Sequence, residues 1–123
     1  MAHLEAHVAR HGPYDGIFGF SAGALVATIA SSKTKKRNCQ WRFVIAACGA
    51  IVPGELSKVT DIAGLHLIGG QDPIRTDSEK LLALYERQQS HVIPYATHSI
   101  PIDCIRDKEL QKVVAGFLDS YRP

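Results

Sequence analysis

Residues 14–20, YDGIFGF, run through the pentapeptide Gly19-Phe20-Ser21-Ala22-Gly23 straight into the apolar stretch ALVATIASS. The first stretch has the length and composition of a buried strand. The second, starting from Ala22, reads as a helix despite several β-branched residues. A chain that changes from strand to helix within so few residues has to turn sharply. Glycines on both sides of Ser21 let the two elements approach without Cβ clashes. Such a turn lifts the serine hydroxyl out of the sheet. It also leaves the backbone N–H of Ala22 at a helix N-terminus, where it can stabilise an oxyanion.

The rest of the chain continues the alternation. Residues 2–10 have helical spacing, and Gly12-Pro13 stops that helix. Residues 41–48 (WRFVIAAC), 64–69 (GLHLIG) and 90–95 (SHVIPY) read as further strands, with Pro94 marking an edge position or a strand end. Residues 77–89 form a helix with Asp77 and Ser78 as N-cap candidates, and residues 107–121 close the chain as an amphipathic helix. The segment from Gly49 to Gly64 carries no clear periodicity. Strands alternating with helices predict βα units and a parallel sheet, an α/β fold in one domain spanning 1–123.

Composition narrows the function classes. The net charge of +2 is too small to argue for nucleic acid, and the basic run Lys33, Lys35, Lys36 and Arg37 falls where a helix should end, as the helix dipole favours. Cys39, Cys48 and Cys104 make an odd count without CxxC spacing. That argues against a disulfide framework or a zinc site and fits a reducing, cytoplasmic setting. No run of about 18 apolar residues suggests a membrane span. The stretch MAHLEAHVARHGPYD lacks the apolar core of a signal peptide. His3, His7 and His11 recur every four residues, a spacing that can bind a metal. Without a neighbouring Cys or carboxylate pattern they read as a solvated face, so no metal and no cofactor is expected.

A serine nucleophile needs a base, usually a histidine oriented by a carboxylate. In sheets of this type ligand sites gather at the carboxyl ends of strands, and the chain order is Ser, then Asp or Glu, then His. Asp72 follows the strand GLHLIG, and His98 follows the strand SHVIPY. Ser21, Asp72 and His98 are therefore the expected catalytic set, with Ala22 N–H as oxyanion donor. His66 lies inside a strand and His91 before the apolar part of one, so both rank below His98. Asp103 competes with Asp72 but comes after the histidine.

The segment GPYDGIFGFSAGALVA (12–27) closely resembles the elbow region of the FSH family of serine hydrolases, a branch of the α/β-hydrolases. LHLIGGQDPI with Asp72 and YATHSIP with His98 are similar to that family's acid and base segments, so the resemblance covers most of the chain. It implies a partial α/β-hydrolase fold of about four parallel strands with flanking helices. It also implies cleavage of a small acyl ester or thioester through an acyl-enzyme, without metal or organic cofactor. Two departures stand out. Ala22 replaces the common Gln, which is harmless to a backbone donor. Ala96 and Thr97 replace glycines before His98 and enter positive φ less cheaply, which leaves room for a displaced His98 loop.

Relatives carry an N-terminal portion whose strands include one donating the second oxyanion N–H. The chain begins inside the helix before the nucleophile strand, so the resemblance makes residues 14–20 a sheet edge. Pairing with a second copy along that edge, or low stability, is the expected consequence. A catalytically weak relative acting as a binding or regulatory module is the alternative reading.

Overall fold

A computed structural model of the protein describes residues 10, 14–32, 41–52, 54, 56–100 and 106–121. Several features expected from the sequence lie outside those residues. They are the helix over 2–10 apart from helical Arg10, the Gly12-Pro13 stop, the basic run at 33–37, Cys39, Cys104, Asp103, and the histidines His3, His7 and His11.

Among the described residues the order is β1 (Gly16–Phe20), α1 (Ala22–Ser31), β2 (Phe43–Ala47), β3 (Ala63–Gly69), α2 (Arg75–Leu82), β4 (Gln88–Ile93) and α3 (Lys108–Asp119). The strands form one sheet in the order β1-β2-β3-β4, every pair parallel. This is the four-stranded α/β arrangement expected of a partial hydrolase fold, with β1 and β4 at its edges.

The side-chain alternation of β2 shows why the sheet needs cover on both faces, because all five of its residues are buried. Val44 and Ala46 pack with Ala24, Leu25, Ala27 and Ala30 of α1, and with Leu81 and Tyr85. Phe43, Ile45 and Ala47 pack on the other face with Leu65, Leu67, Ile93, Leu110 and Phe117. There the Phe43, Phe117 and Tyr121 rings meet with centroids 4.8–5.5 Å apart. α3 is capped by Asp107, whose side chain accepts a hydrogen bond from the Leu110 amide. Its apolar stripe faces the sheet, as its amphipathic spacing predicts.

The helix expected over 77–89 is shorter and earlier. α2 begins at Arg75 and ends at Leu82, and its N-cap is Ile74 rather than Asp77 or Ser78. Tertiary burial overrides local propensity here. Tyr85 leaves the helix to become 1% exposed, its hydroxyl 2.8 Å from the Thr28 hydroxyl and its backbone bridged to Val59. β4 then starts at Gln88, two residues before the expected strand. Ser78 instead donates its hydroxyl proton to the Gly49 carbonyl at 2.8 Å, tying α2 to the loop after β2. β4 ends at Ile93 on a sheet edge, so Pro94 lies just past the ladder, as its missing N–H demands.

His66 sits in the middle of β3, 2% exposed, with its ring edge-on to Tyr85 at 4.6 Å and no hydrogen-bond partner for Nε2. Burial lowers its pKa from 6.5 to about 4 and pushes that of Tyr85 up to about 12 against the opposing effect of the Thr28 hydrogen bond. Between pH 6.5 and about 4 the unfolded chain therefore protonates His66 while the folded chain does not. Stability is fully present above pH 6.5 and is lost as the pH falls through that window, by up to about 3 kcal/mol. In urea titrations across this range His66→Leu is expected to show a clearly shallower loss of stability than the wild type. Equal slopes would assign the acid sensitivity to other groups.

Candidate active site

The turn between β1 and α1 is held by the backbone. The Ser21 amide donates to the Ala47 carbonyl at 2.9 Å, extending the ladder one residue beyond Phe20. The Ser21 carbonyl accepts from the amides of Ala24 at 3.1 Å and Ala50 at 3.2 Å. Between these anchors Ser21 takes φ 56° and ψ −117°, a conformation that costs a non-glycine residue about 1–3 kcal/mol. Its side chain makes no capping hydrogen bond to α1, so a helix-cap role does not account for the serine. Ala22 opens α1, where an amide has no acceptor one turn earlier in the helix.

The two glycines of the turn are not equivalent. A Cβ on Gly19 would lie 2.6 Å from the Gly23 carbonyl oxygen and 2.7 Å from the Ala24 backbone. A Cβ on Gly23 would meet nothing within 4 Å. The expectation that both glycines admit the close approach of strand and helix is corrected accordingly. Gly19 alone provides the clearance, because the helix backbone passes directly over it.

Asp72 and His98 come from loops after β3 and β4 and meet above the carboxyl ends of those strands. His98 Nδ1 and Asp72 Oδ2 are 2.8 Å apart. The Asp72 side chain is only 1% exposed, so its charge has to be compensated locally. Burial pushes its carboxyl up, but the His98 hydrogen bond, the Ile74 amide at 2.9 Å, the His98 charge and the Cys48 thiol outweigh it. The net result is a carboxyl held below its ordinary value of 3.8. Gly69 makes the meeting possible: its Cα packs so closely under the Thr97 and Ala96 carbonyls that a Cβ would collide with both. Among the described residues the non-glycine positions with positive φ are Ser21 and Cys48 alone. Ala96 and Thr97 therefore do not need glycine's freedom, and the His98 loop is not displaced from Asp72.

Phe20 connects this pair to the turn. Its ring lies 4.8 Å from the His98 ring, tilted by 41°, and it immediately precedes Ser21. The carboxylate–imidazole pair and the strained serine thus share the carboxyl end of the sheet. His66 lies within β3 and His91 within β4, away from that end, as their strand positions predict. A shallow groove lined by Gly64, Arg87, Phe117 and Tyr121 lies at the opposite, amino end of the strands and contains none of these residues.

Cys48 is the residue the sequence argument passed over. It follows β2 directly, at φ 49°, its buried thiol donates to the Thr97 carbonyl at 3.9 Å, and the same thiol helps to lower the Asp72 pKa. The available signal was positional: β2 lies between β1 and β3, so the residue after it stands between Ser21 and Asp72.

Comparison with known proteins adds a family. The family profile described as "Serine hydrolase (FSH1)" matches residues 1–108. No curated protein matches the chain.

Because Gly19 is crossed by helix backbone and Gly23 is not, alanine at the two positions should act in opposite directions. Gly23→Ala is expected to raise stability by about 0.5–1 kcal/mol through helix propensity. Gly19→Ala should lower it by about 1–3 kcal/mol, since backbone must shift to admit the methyl. Urea unfolding midpoints of the two variants check this, and similar effects at both positions would refute the asymmetry.

Proposed function

The chain belongs to the FSH1 serine hydrolase family, and we propose that it cleaves carboxylic esters or thioesters through an acyl-enzyme on Ser21. The observation that carries this reading is the part-buried Asp72–His98 hydrogen bond, at the same carboxyl end of the sheet as a serine held in a strained turn. In this scheme the Ser21 hydroxyl attacks the substrate's carbonyl carbon. With Nδ1 engaged by Asp72, Nε2 of His98 is the nitrogen that takes the hydroxyl proton. The Ala22 N–H stabilises the oxyanion of the tetrahedral intermediate.

Collapse of that intermediate expels the alcohol or thiol, which leaves with the proton from His98. A water molecule then gives a proton to His98 as it attacks the acyl-Ser21 ester, and His98 returns that proton to the Ser21 oxygen as the acid is released. Asp72 keeps the imidazole in the tautomer that exposes Nε2 and stabilises the imidazolium. Its depressed pKa supports that role, because it keeps the carboxylate ionised beside a cation. The reading assigns no cofactor to these steps.

The chemistry is tested by intact mass after incubation with a fluorophosphonate probe. One adduct on the wild type and none on Ser21→Ala is the expected outcome, whereas labelling retained in the variant would identify another nucleophile. Absence of any adduct on folded wild-type protein would favour a binding or regulatory module instead. Asp72→Asn should lower ester turnover by a factor on the order of 10³–10⁴, since the amide favours the wrong imidazole tautomer. Unchanged turnover would move the orienting role to another carboxylate.

A further inference from the structure

Cys48, Asp72 and His98 each offer one ligand atom, and these atoms all lie within 4.8 Å of one another. They come from the ends of three adjacent parallel strands, β2, β3 and β4, so the separation is set by the sheet rather than by a single loop. Sulfur, carboxylate oxygen and imidazole nitrogen together make a donor set suited to a borderline-soft cation and poorly suited to Mg²⁺ or Ca²⁺. Around a tetrahedral zinc ion, ligand atoms stand roughly 3.5 Å apart. Bringing all three onto one ion therefore takes a displacement on the order of 1 Å. His98 can supply it, because its side chain is 36% exposed and open to solvent, whereas the Asp72 side chain is fixed at 1% exposure. Cys48 is buried, so the ion would enter from the His98 side.

We propose that Cys48, Asp72 and His98 form an inhibitory site for a thiophilic divalent cation, with Zn²⁺ as the representative ion. Binding replaces the thiol proton of Cys48, which leaves to solvent, and uses a lone pair on a neutral His98 ring nitrogen. A carboxylate oxygen of Asp72 supplies the third ligand, and water supplies the fourth. The Asp72–His98 hydrogen bond yields to metal–ligand bonds, so the imidazole is no longer oriented to accept a proton from Ser21. Inhibition rests on the hydrolase reading; binding of the ion does not.

The test separates these two parts. Zn²⁺ is titrated into the reduced, tag-free protein in competition with a chromophoric chelator, and fluorophosphonate labelling is followed in parallel samples. The expected result is one Zn²⁺ per chain, not displaced by excess Mg²⁺, with labelling suppressed at the same half-point and restored by chelation. Cys48→Ser and His98→Ala should each weaken Zn²⁺ binding at least about tenfold. The double variant Cys39→Ser/Cys104→Ser should bind as the wild type does. Circular dichroism of each variant confirms that it is folded, and His98→Ala, at a partly exposed position, keeps the test open should Cys48→Ser fail to fold. No Zn²⁺ binding, or binding unchanged in a folded Cys48→Ser or His98→Ala variant, overturns the proposal. Stoichiometric binding by wild-type protein that takes no phosphonate even without metal would sustain the site and reject the hydrolase reading. Labelling that persists at saturating Zn²⁺ would reject the inhibition.

Discussion

The carboxyl end of this sheet depends on where its parallel ladder stops. β1 and β2 end in register, Phe20 opposite Ala47, and the Ser21 amide adds one more rung to Ala47. That rung fixes the point from which the chain must leave the sheet. The next hydrogen bonds, from the Ala24 and Ala50 amides to the Ser21 carbonyl, bind the departing helix and the β2 loop to the same atom. Ser21 has little choice of conformation between these anchors, and its positive φ is the result. The strain is sustained because ladder, helix and loop hydrogen bonds anchor Ser21 from several sides, which is how such outliers persist.

The second constraint is the clearance at Gly69. Parallel strands β3 and β4 bring their loops side by side, but side-by-side loops do not by themselves bury a carboxylate against an imidazole. The carbonyls of Ala96 and Thr97 cross directly over Gly69, and this seats the His98 loop low enough for its ring to reach Asp72. Asp72 in turn uses both oxygens: Oδ1 accepts the Ile74 amide just before α2, and Oδ2 meets His98. One carboxylate thus organises the start of a helix and the orientation of a histidine. Substitution at Asp72 accordingly touches both fold and site, and Asn, which keeps the shape and one acceptor, is the informative change.

Much of this was legible in the sequence because it depends on periodicity and on residue types with few alternative uses. Apolar runs of strand length alternating with helical spacing implied the parallel sheet. Gly19, Ser21 and Gly23 between a strand and a helix implied the turn, and the chain order of Ser21, Asp72 and His98 implied the set of candidates. The features that escaped depend on packing across the sheet. The early end of α2 follows from the burial of Tyr85 against Thr28, two residues 57 positions apart. The unequal roles of Gly19 and Gly23 depend on which backbone crosses which, and composition carries no trace of that. Cys48 has no motif around it, and its meaning comes only from the strand it follows and from that strand's neighbours.

Two buried titratable groups show how differently the sheet treats its interior and its carboxyl end. His66 is enclosed in mid-strand against Tyr85, and its Nε2 has no partner. The fold resolves this by keeping the ring neutral, at the cost of stability in acid. Asp72 is buried too but lies where strands end, and loops there supply an amide, a thiol and an imidazole. Its charge is therefore retained. Ligand sites gather at the carboxyl end of a parallel sheet, and here the loops at that end bring enough donors to hold a charge out of water. The same crowding of donors brings sulfur, oxygen and nitrogen ligands within reach of one ion. An arrangement that keeps a carboxylate ionised beside a histidine and a cysteine is thereby also an arrangement open to a metal.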